Sequence, residues 1–522
     1  MNMKPGNCAL EEYLLGVDLG TTALKAILVS IEGEVVRSSS VDYPTMHPNP
    51  AWAEQDPMMW WRALCLSTQD ILSKSGISAE RIKGIGISSQ SSTVLAVDRN
   101  GDPLHKAIIW MDSRGEDQRH YLRTVLDKLR DKVQVNPVES FFAIPKLLWL
   151  RENNSSVFES ASVFLQANSY LVFRLTGESS IDFSEAGLQH IFDFRGQKYS
   201  NEICDILNLP IAKLPRIYGC SDIVGSVHAD AAEATGLKKG TPVVAGTVDT
   251  TAAALGSGVV GDGQILYSVG TSGNLGACSK RLLFDKSFFI IPHPVPGLWL
   301  VDLLLGAAGS CLRWFRDQFG EPENRAAQSL KTDSYEIMNW EASRATPNGK
   351  GPIFLPYLVG RRSPDWNDAA RGVFFGISLS TSREQIIRSI MEGCAFELLH
   401  NLSVLENHGH KVSEVRIVGQ VARSQTWNQI WADVLEKTIF IPDSPGAPLG
   451  AAILAGKGVG LFDNLAEIGA AFARTGRMYT PNKSHVDIYR HLFDLYKRVS
   501  NKLDDEFRSL GNITPTGEDT RS

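Results

Sequence analysis

Along this chain the spacing of apolar positions switches repeatedly between a two-residue period and a helical one, which separates strands from helices. The runs Tyr13 to Asp18 and Leu24 to Ser30 flank a short glycine turn and predict an antiparallel pair. A third strand is expected after the turn Glu32-Gly33-Glu34. From Pro57 to Lys74 the period lengthens, and Trp60, Trp61, Leu64 and Ile71 form the apolar stripe of a helix. A strand from Ile82 to Ser88 runs into Ser89-Gln90-Ser91-Ser92. Val94 to Val97 and Ala107 to Trp110 read as a hairpin about Arg99-Asn100-Gly101-Asp102. Ser140 to Gly187 reads as mainly helical with a break at Thr176-Gly177. A strand, Pro242 to Ala245, then precedes a helix of small residues, Thr250 to Gly256.

After the glycine-rich stretch Gly256 to Gly263 the pattern starts again. A hairpin is expected over Gln264 to Val269 and Gly273 to Ser279. A long helix covers Ser382 to Asn407, with Thr381 and Glu384 at capping-box spacing and Ile386, Ile390, Cys394, Leu398, Leu402 and Leu405 on one face. A strand from Glu414 to Val418 leads into Gly419, followed by a helix from Ser424 to Leu435 and a second small-residue helix from Leu449 to Gly456. The expected architecture is therefore α/β, in two related halves, residues 13–256 and 257–500, with a disordered tail at 511–522.

Composition narrows the function. With 522 residues, two large domains are the natural expectation, and 43% hydrophobic with 21% charged residues supports a full core. A net charge of −6 carries no basic footprint for nucleic acid. Lys4, Glu11 and Glu12 interrupt any secretory apolar region, and the apolar segment Trp299 to Ala308 is too short for a membrane span and is broken by Asp302. The seven cysteines are scattered and never in a Cys-x-x-Cys pair, so they read as reduced thiols of a cytoplasmic protein. The histidines show no metal-ligand spacing, and His408 with His410 reads as a solvated helix end.

Two glycine-threonine turns carry the chemistry. Gly20-Thr21-Thr22 follows the first strand, and Gly270-Thr271-Ser272 follows a strand in the second half. Exposed amides and hydroxyls at such turns can wrap phosphate, and one turn on each half could clamp a nucleoside triphosphate. Asp18 before the first turn and Asp249 shortly before the second make a phosphotransferase the leading reading. Read locally, Asp249 is equally a helix cap, Asp18 a turn residue and Lys25 a solvated strand residue.

With these segments assembled, the chain resembles the FGGY family of carbohydrate kinases, in the pattern of its xylulokinase-like members. The resemblance rests on Gly372-Val373-Phe374-Phe375-Gly376-Ile377 with Ser389-Ile390-Met391-Glu392, and on Phe141-Phe142-Ala143-Ile144-Pro145-Lys146-Leu147-Leu148-Trp149. Trp52 to Pro57, Ile109 to Arg114, and Leu355-Pro356-Tyr357 with Arg361-Arg362-Ser363-Pro364 add to it. It implies two ribonuclease-H-like domains, as in actin and sugar-kinase ATPases, flanking a catalytic cleft that binds ATP, Mg²⁺ and a small carbohydrate. Fold alone supplies no kinase chemistry.

The resemblance also implies roles. Asp249 would take the acceptor proton. Asp18 would hold Mg²⁺ through water, with Gly20, Thr21, Thr22 and Lys25 around the phosphates and Gly270, Thr271 and Ser272 opposite. Gly419, Gln420 and Ser424 match the nucleoside segment, where family members carry further glycines; Gln420 and Val421 reshape that seat and leave nucleotide preference open. Gln90, Ser91, Ser92, Trp110 and Thr250, with Asp249, match the acceptor site. Ser91, Ser92, Thr250 and Phe141 depart from the glycerol-kinase pattern, so the resemblance disfavours glycerol and points to a ketose such as xylulose, or another polyol, deoxy sugar or sugar acid (erythritol, gluconate). Asp112 and Arg114 either orient substrate or pair with each other. A weakly catalytic regulator is the rival on the same fold, and an actin-like assembly protein leaves Trp110 without a purpose. A homodimer is compatible with the family.

Overall fold

The computed structural model describes residues 11–129, 134–347, 349 and 351–512. Among them, two seven-stranded sheets repeat one plan. In the first, Tyr13–Leu19 pairs antiparallel with Ala23–Ser30, which pairs with Val35–Asp42. On its other side Tyr13–Leu19 pairs in parallel with Ile82–Ser89, which is followed by Pro242–Val244 and Ile223–Ser226. In the second, Gln264–Val269 pairs antiparallel with Gly273–Ser279 and in parallel with Glu414–Val418, and Trp299–Leu305 and Phe289–Pro292 extend the antiparallel side. Each half thus opens on a hairpin and returns through helices to a parallel strand.

Local chemistry explains the element ends. Asp56 accepts from the Met58 amide at 3.0 Å and Pro57 sits in the first turn, starting the helix Pro57–Ser75, which stops at Gly76 with φ 67°. The long helix Arg383–Asn407 is closed by a Ser382–Gln385 capping box, one residue beyond the expected Thr381–Glu384. The reason is that Thr381 Oγ1 already accepts from the Ser378 amide at 2.9 Å and closes the preceding turn.

Other expectations are corrected. The runs near Val97 and Ala107 meet as a hairpin only at bridges, where Val94 and Ile108 exchange both backbone bonds; their strands pair elsewhere, Leu95–Val97 with Val163–Leu165 and Ala107–Ile108 with Glu54–Gln55. The His105 ring takes the Ala96 amide (3.0 Å) that a hairpin neighbour would have used. The segment 140–187 holds the strands Val163–Leu165 and Ser180–Asp182 beside its helices. His410 is buried against Ser279 (3.0 Å), not solvated, and His408 Nε2 lies 3.3 Å from Asp285. Gly511 ends the helix Asp504–Gly511, and the rest of the expected tail from residue 513 lies outside the described residues.

The halves are joined by their two small-residue helices. Ala447–Gly458, from the second half, lies on the first sheet, where Gly16, Gly84 and Gly86 leave room for its backbone. Its other side meets Asp249–Gly256 backbone to backbone at Gly450 and Gly256. A core shared by the halves, including Leu14, Val248, Leu255, Leu300, Leu449 and Ile453, fills the junction.

Candidate active site

Asp18, Ser88 and Thr247 lie side by side on three adjacent strands, because Ile82–Ser89 pairs in parallel with both Tyr13–Leu19 and Thr247–Val248. Ser88 Oγ donates to Asp18 Oδ1 at 2.9 Å. Asp249 follows two residues beyond Thr247 as the first residue of its helix; Val248 holds the cap position, so the local capping role does not apply. Its Oδ1 accepts from the Thr250 amide at 2.6 Å and from Thr250 Oγ1 at 3.2 Å. Two carboxylates therefore share one end of the sheet.

Their electrostatics follow from that placement. Burial raises Asp18 to about 6 against the pull of Ser88 and Lys25. Burial and the charge of Asp18 raise Asp249 to about 7. Lys25 itself is exposed and stands opposite Asp18 across the hairpin.

The first glycine-threonine turn is held from below. Tyr43 Oη donates to the Gly20 carbonyl, and Gln55 Nε2 donates to the Thr21 carbonyl at 2.6 Å. Thr22 is exposed, and Trp110, 40% exposed, donates from Nε1 to Thr21 Oγ1 at 2.9 Å, which ties the expected acceptor residue to the expected phosphate turn.

The serine loop is more rigid than its composition implies. Gln90 is buried, its Nε2 donating to Gln55 Oε1 at 2.8 Å, so it lies under the loop and not on it. Ser92 is buried with φ 58°, its amide donating to Glu185 Oε1 (2.8 Å) and its carbonyl accepting from Lys146 Nζ (2.5 Å). Lys146 spends a second donor on the Ile109 carbonyl at 2.9 Å, so its charge serves the backbone. Ser91 and Thr250 are half-buried. Arg114 chelates Asp112 and reaches Glu54 at 2.7 Å while stacking on Trp52, so Asp112 and Arg114 pair with each other.

In the second half, Gly270, Thr271 and Ser272 are exposed. The helix Gly309–Phe319 points its N-terminus at this turn: the Gly309 amide donates to Gly270 (3.0 Å), and the Ala308 and Ser310 amides donate to Thr271 (3.1 and 3.0 Å). Gly419 has φ 107°, and a Cβ there would stand 2.1 Å from the Val269 carbonyl, so this close approach requires glycine. Gln420 is exposed and Val421 packs toward Gly309. The Ser424 hydroxyl donates to Asn339 Oδ1 (2.7 Å) and accepts from the Trp427 amide (3.1 Å), so helix capping uses it.

The model for the N-terminal domain of the FGGY family of carbohydrate kinases matches residues 13–256, and the model for its C-terminal domain matches 265–459. The chain belongs to the FGGY family of carbohydrate kinases. It is 31% identical to the xylulose kinase of Bacillus subtilis (strain 168) over 494 residues, covering 94% of this chain and 96% of that one. It is 28% identical to a gluconokinase of the same organism over 507 residues, 96% of this chain and 98% of that one. The crystal structure of a xylulose kinase from Rhodospirillum rubrum superposes with a TM-score of 0.87 at 28% identity, covering 95% of this chain and all of that one. The fold is the actin-like one, and FGGY kinases transfer phosphate from ATP, with Mg²⁺, to an alcohol group.

The kinase site fits such a cation. No group of three or more His, Cys, Asp or Glu side chains converges on one metal position among the described residues. Mg²⁺ needs no protein cage: it keeps several waters and takes one or two carboxylates beside phosphate oxygens. Asp18 and Asp249, both raised toward neutrality by burial, are a carboxylate pair short of positive charge, and Asp18 is the one beside the phosphate turn.

Sequence reasoning missed several buried charged residues, some beside the candidate site and some in the core. Glu185 is hidden in a helix and Lys146 was read only as part of a motif, yet together they hold Ser92. Asp302 was seen only as a polar break in an apolar segment too short to span a membrane. Glu397 also escaped notice; it is buried in the long helix, faces the Gly306 amide, and is pushed up to about 8 by burial. A carboxyl raised above its unfolded value is bound to a proton in the fold, so stability is lost as pH rises from about 4.5 to about 8. Glu397→Gln keeps the shape of the side chain and removes the charge, and neither carboxylate oxygen of Glu397 has a hydrogen-bond partner to lose. We expect it to stabilise the kinase by about 1–3 kcal/mol at pH 8 and by little at pH 5, read from thermal unfolding at both pH values.

Proposed function

We propose that this FGGY kinase phosphorylates a terminal hydroxyl of a ketose such as xylulose, with Asp249 as the base that takes the acceptor proton. The observation that supports this most is the pair of half-buried carboxylates at one end of the first sheet, Asp18 beside the first glycine-threonine turn and Asp249 at the start of the helix that follows Thr247–Val248. Thr250 holds one oxygen of Asp249 through its amide and hydroxyl, which leaves the other for the acceptor. Residues 13–256 carry the acceptor and residues 257–500 the nucleotide in this reading. Asp18 holds Mg²⁺ through water with Gly20, Thr21, Thr22 and Lys25 nearby; Gly270, Thr271, Ser272 and the helix behind them receive the phosphates, and Gly419 and Gln420 border the base. When bound, Mg²⁺ neutralises charge on the phosphates. Trp110 offers an aromatic face to the carbon skeleton, and closure of the halves excludes water.

A second reading, a sugar-acid kinase, is favoured by the gluconokinase relative. A homodimer and a cytoplasmic location complete the proposal. Exposed Phe375, Ile377 and Leu379 support the first, and the free thiols Cys65, Cys204, Cys220, Cys278, Cys311 and Cys394 support the second. ADP release with Mg²⁺-ATP against ketoses, polyols and sugar acids tests the reading. We expect one neutral ketose to exceed every other acceptor at least about tenfold in kcat/KM, and a sugar acid leading the panel sinks it.

A further inference from the structure

The face that the second sheet turns toward the first half is apolar at Cys278, Leu300, Phe289 and Ile291, all of which belong to the shared core. Asp302 and Asn274 interrupt it. In the strand register Asp302 opposes Gly276, and Asn274 opposes Leu304, so both side chains stand on that same face. Asn274 Nδ2 donates to Asp302 Oδ2 at 3.1 Å. This bond fixes the amide orientation, since the reverse would set two acceptors against each other. Asp302 Oδ1 and Asn274 Oδ1 are both shielded from solvent and neither has a hydrogen-bond partner. Asp302 is 6% exposed, and the charge of Asp249 reaches it from the first half. Two unpartnered acceptors shielded from solvent cost stability, a cost that a ligand supplying donors offsets.

We propose that Asp302, oriented by Asn274, is a specificity-determining residue that accepts hydrogen bonds from hydroxyls of a neutral acceptor and repels acceptors bearing a carboxylate. Two oxygens without donors match vicinal hydroxyls, each of which brings one proton. The carboxylate of a sugar acid brings none and adds a like charge beside Asp302 and Asp249. The inference rests on the kinase reading above and names the class of acceptor within it.

The test compares wild type with Asp302→Asn, Asp302→Ala and Asn274→Ala by ADP release, using a neutral ketose, its deoxy analogues and a sugar acid of the same length. We expect the wild type to favour the neutral acceptor over the acid at least about 100-fold. Asp302→Ala should raise the acceptor KM by about 10–100-fold with the ATP KM held within about twofold, and Asp302→Asn and Asn274→Ala should raise it less. Removal of the hydroxyl that Asp302 reads should cost the wild type at least about tenfold in kcat/KM and cost Asp302→Ala less than about threefold. Thermal unfolding separates misfolding from specificity: Asp302→Asn, which relieves a buried charge, should melt no lower than wild type. Unchanged acceptor KM in well-folded variants, or equal use of the sugar acid by wild type, overturns the proposal. A wild type that binds ATP yet phosphorylates no acceptor of either class overturns the kinase reading itself, and this proposal with it.

Discussion

Asp249→Asn is expected to lower kcat by about 1,000-fold or more while the KM for ATP stays within about threefold. The asparagine keeps the shape of the side chain and its bond from the Thr250 amide, so the loss reports the missing base and not a shifted helix. Its size follows from the proton: a positioned base contributes about 100- to 10,000-fold, and one with a value near 7 is matched to a hydroxyl that loses its proton late in phosphoryl transfer. Stability should move the other way. Asp249 is held above the normal carboxylate range by burial and by Asp18, so the neutral amide should melt at or above the wild-type temperature. ADP release and thermal unfolding on one preparation check both halves. A kcat within about tenfold of wild type refutes the assignment of Asp249 as the base.

What the sequence disclosed depended on how local its cause was. The opening hairpin, the long helix and the restart after Gly263 were legible because apolar period and turn chemistry act over a few residues. Asp18, beside its turn, and Asp249, before a small-residue helix, stood out as candidates in the sequence, and their shared sheet end adds the reason for their electrostatics. Gln90 and Ser424 were legible as polar residues in the right segments, but their partners, Gln55 and Asn339, are distant in sequence. Nothing local could show that one residue lies beneath its loop and that the other spends its hydroxyl on a helix end. Asp302 was the opposite case: a charge inside Trp299–Leu305 is visible in any reading, but its significance needs the strand order that turns it toward Asp249.

The small-residue helices give the second large effect, because their composition is a packing requirement. Ala447–Gly458 crosses the first sheet at Gly86, where an added Cβ would lie 1.9 Å from the Ala451 carbonyl oxygen. That neighbour is backbone, so no rotamer change relieves the clash, and the whole helix must lift. Lifting it also disturbs its other face, where a Cβ at Gly450 would stand 2.0 Å from the Ala252 carbonyl in the helix that Asp249 begins. Gly86→Ala is therefore expected to destabilise by about 3 kcal/mol or more and to cut kcat by about 10-fold or more, although it touches no reacting group. Gly76→Ala is the matched control. That glycine has φ 67° with nothing within 4 Å, so the substitution carries only a backbone cost of about 1 kcal/mol and should leave kcat alone. Equal melting temperatures for the two variants would show that the helix yields freely. In that case the spacing of Asp18 and Asp249 would have to be held by the pairing of Ile82–Ser89 with the strands on either side of it, without help from the second half.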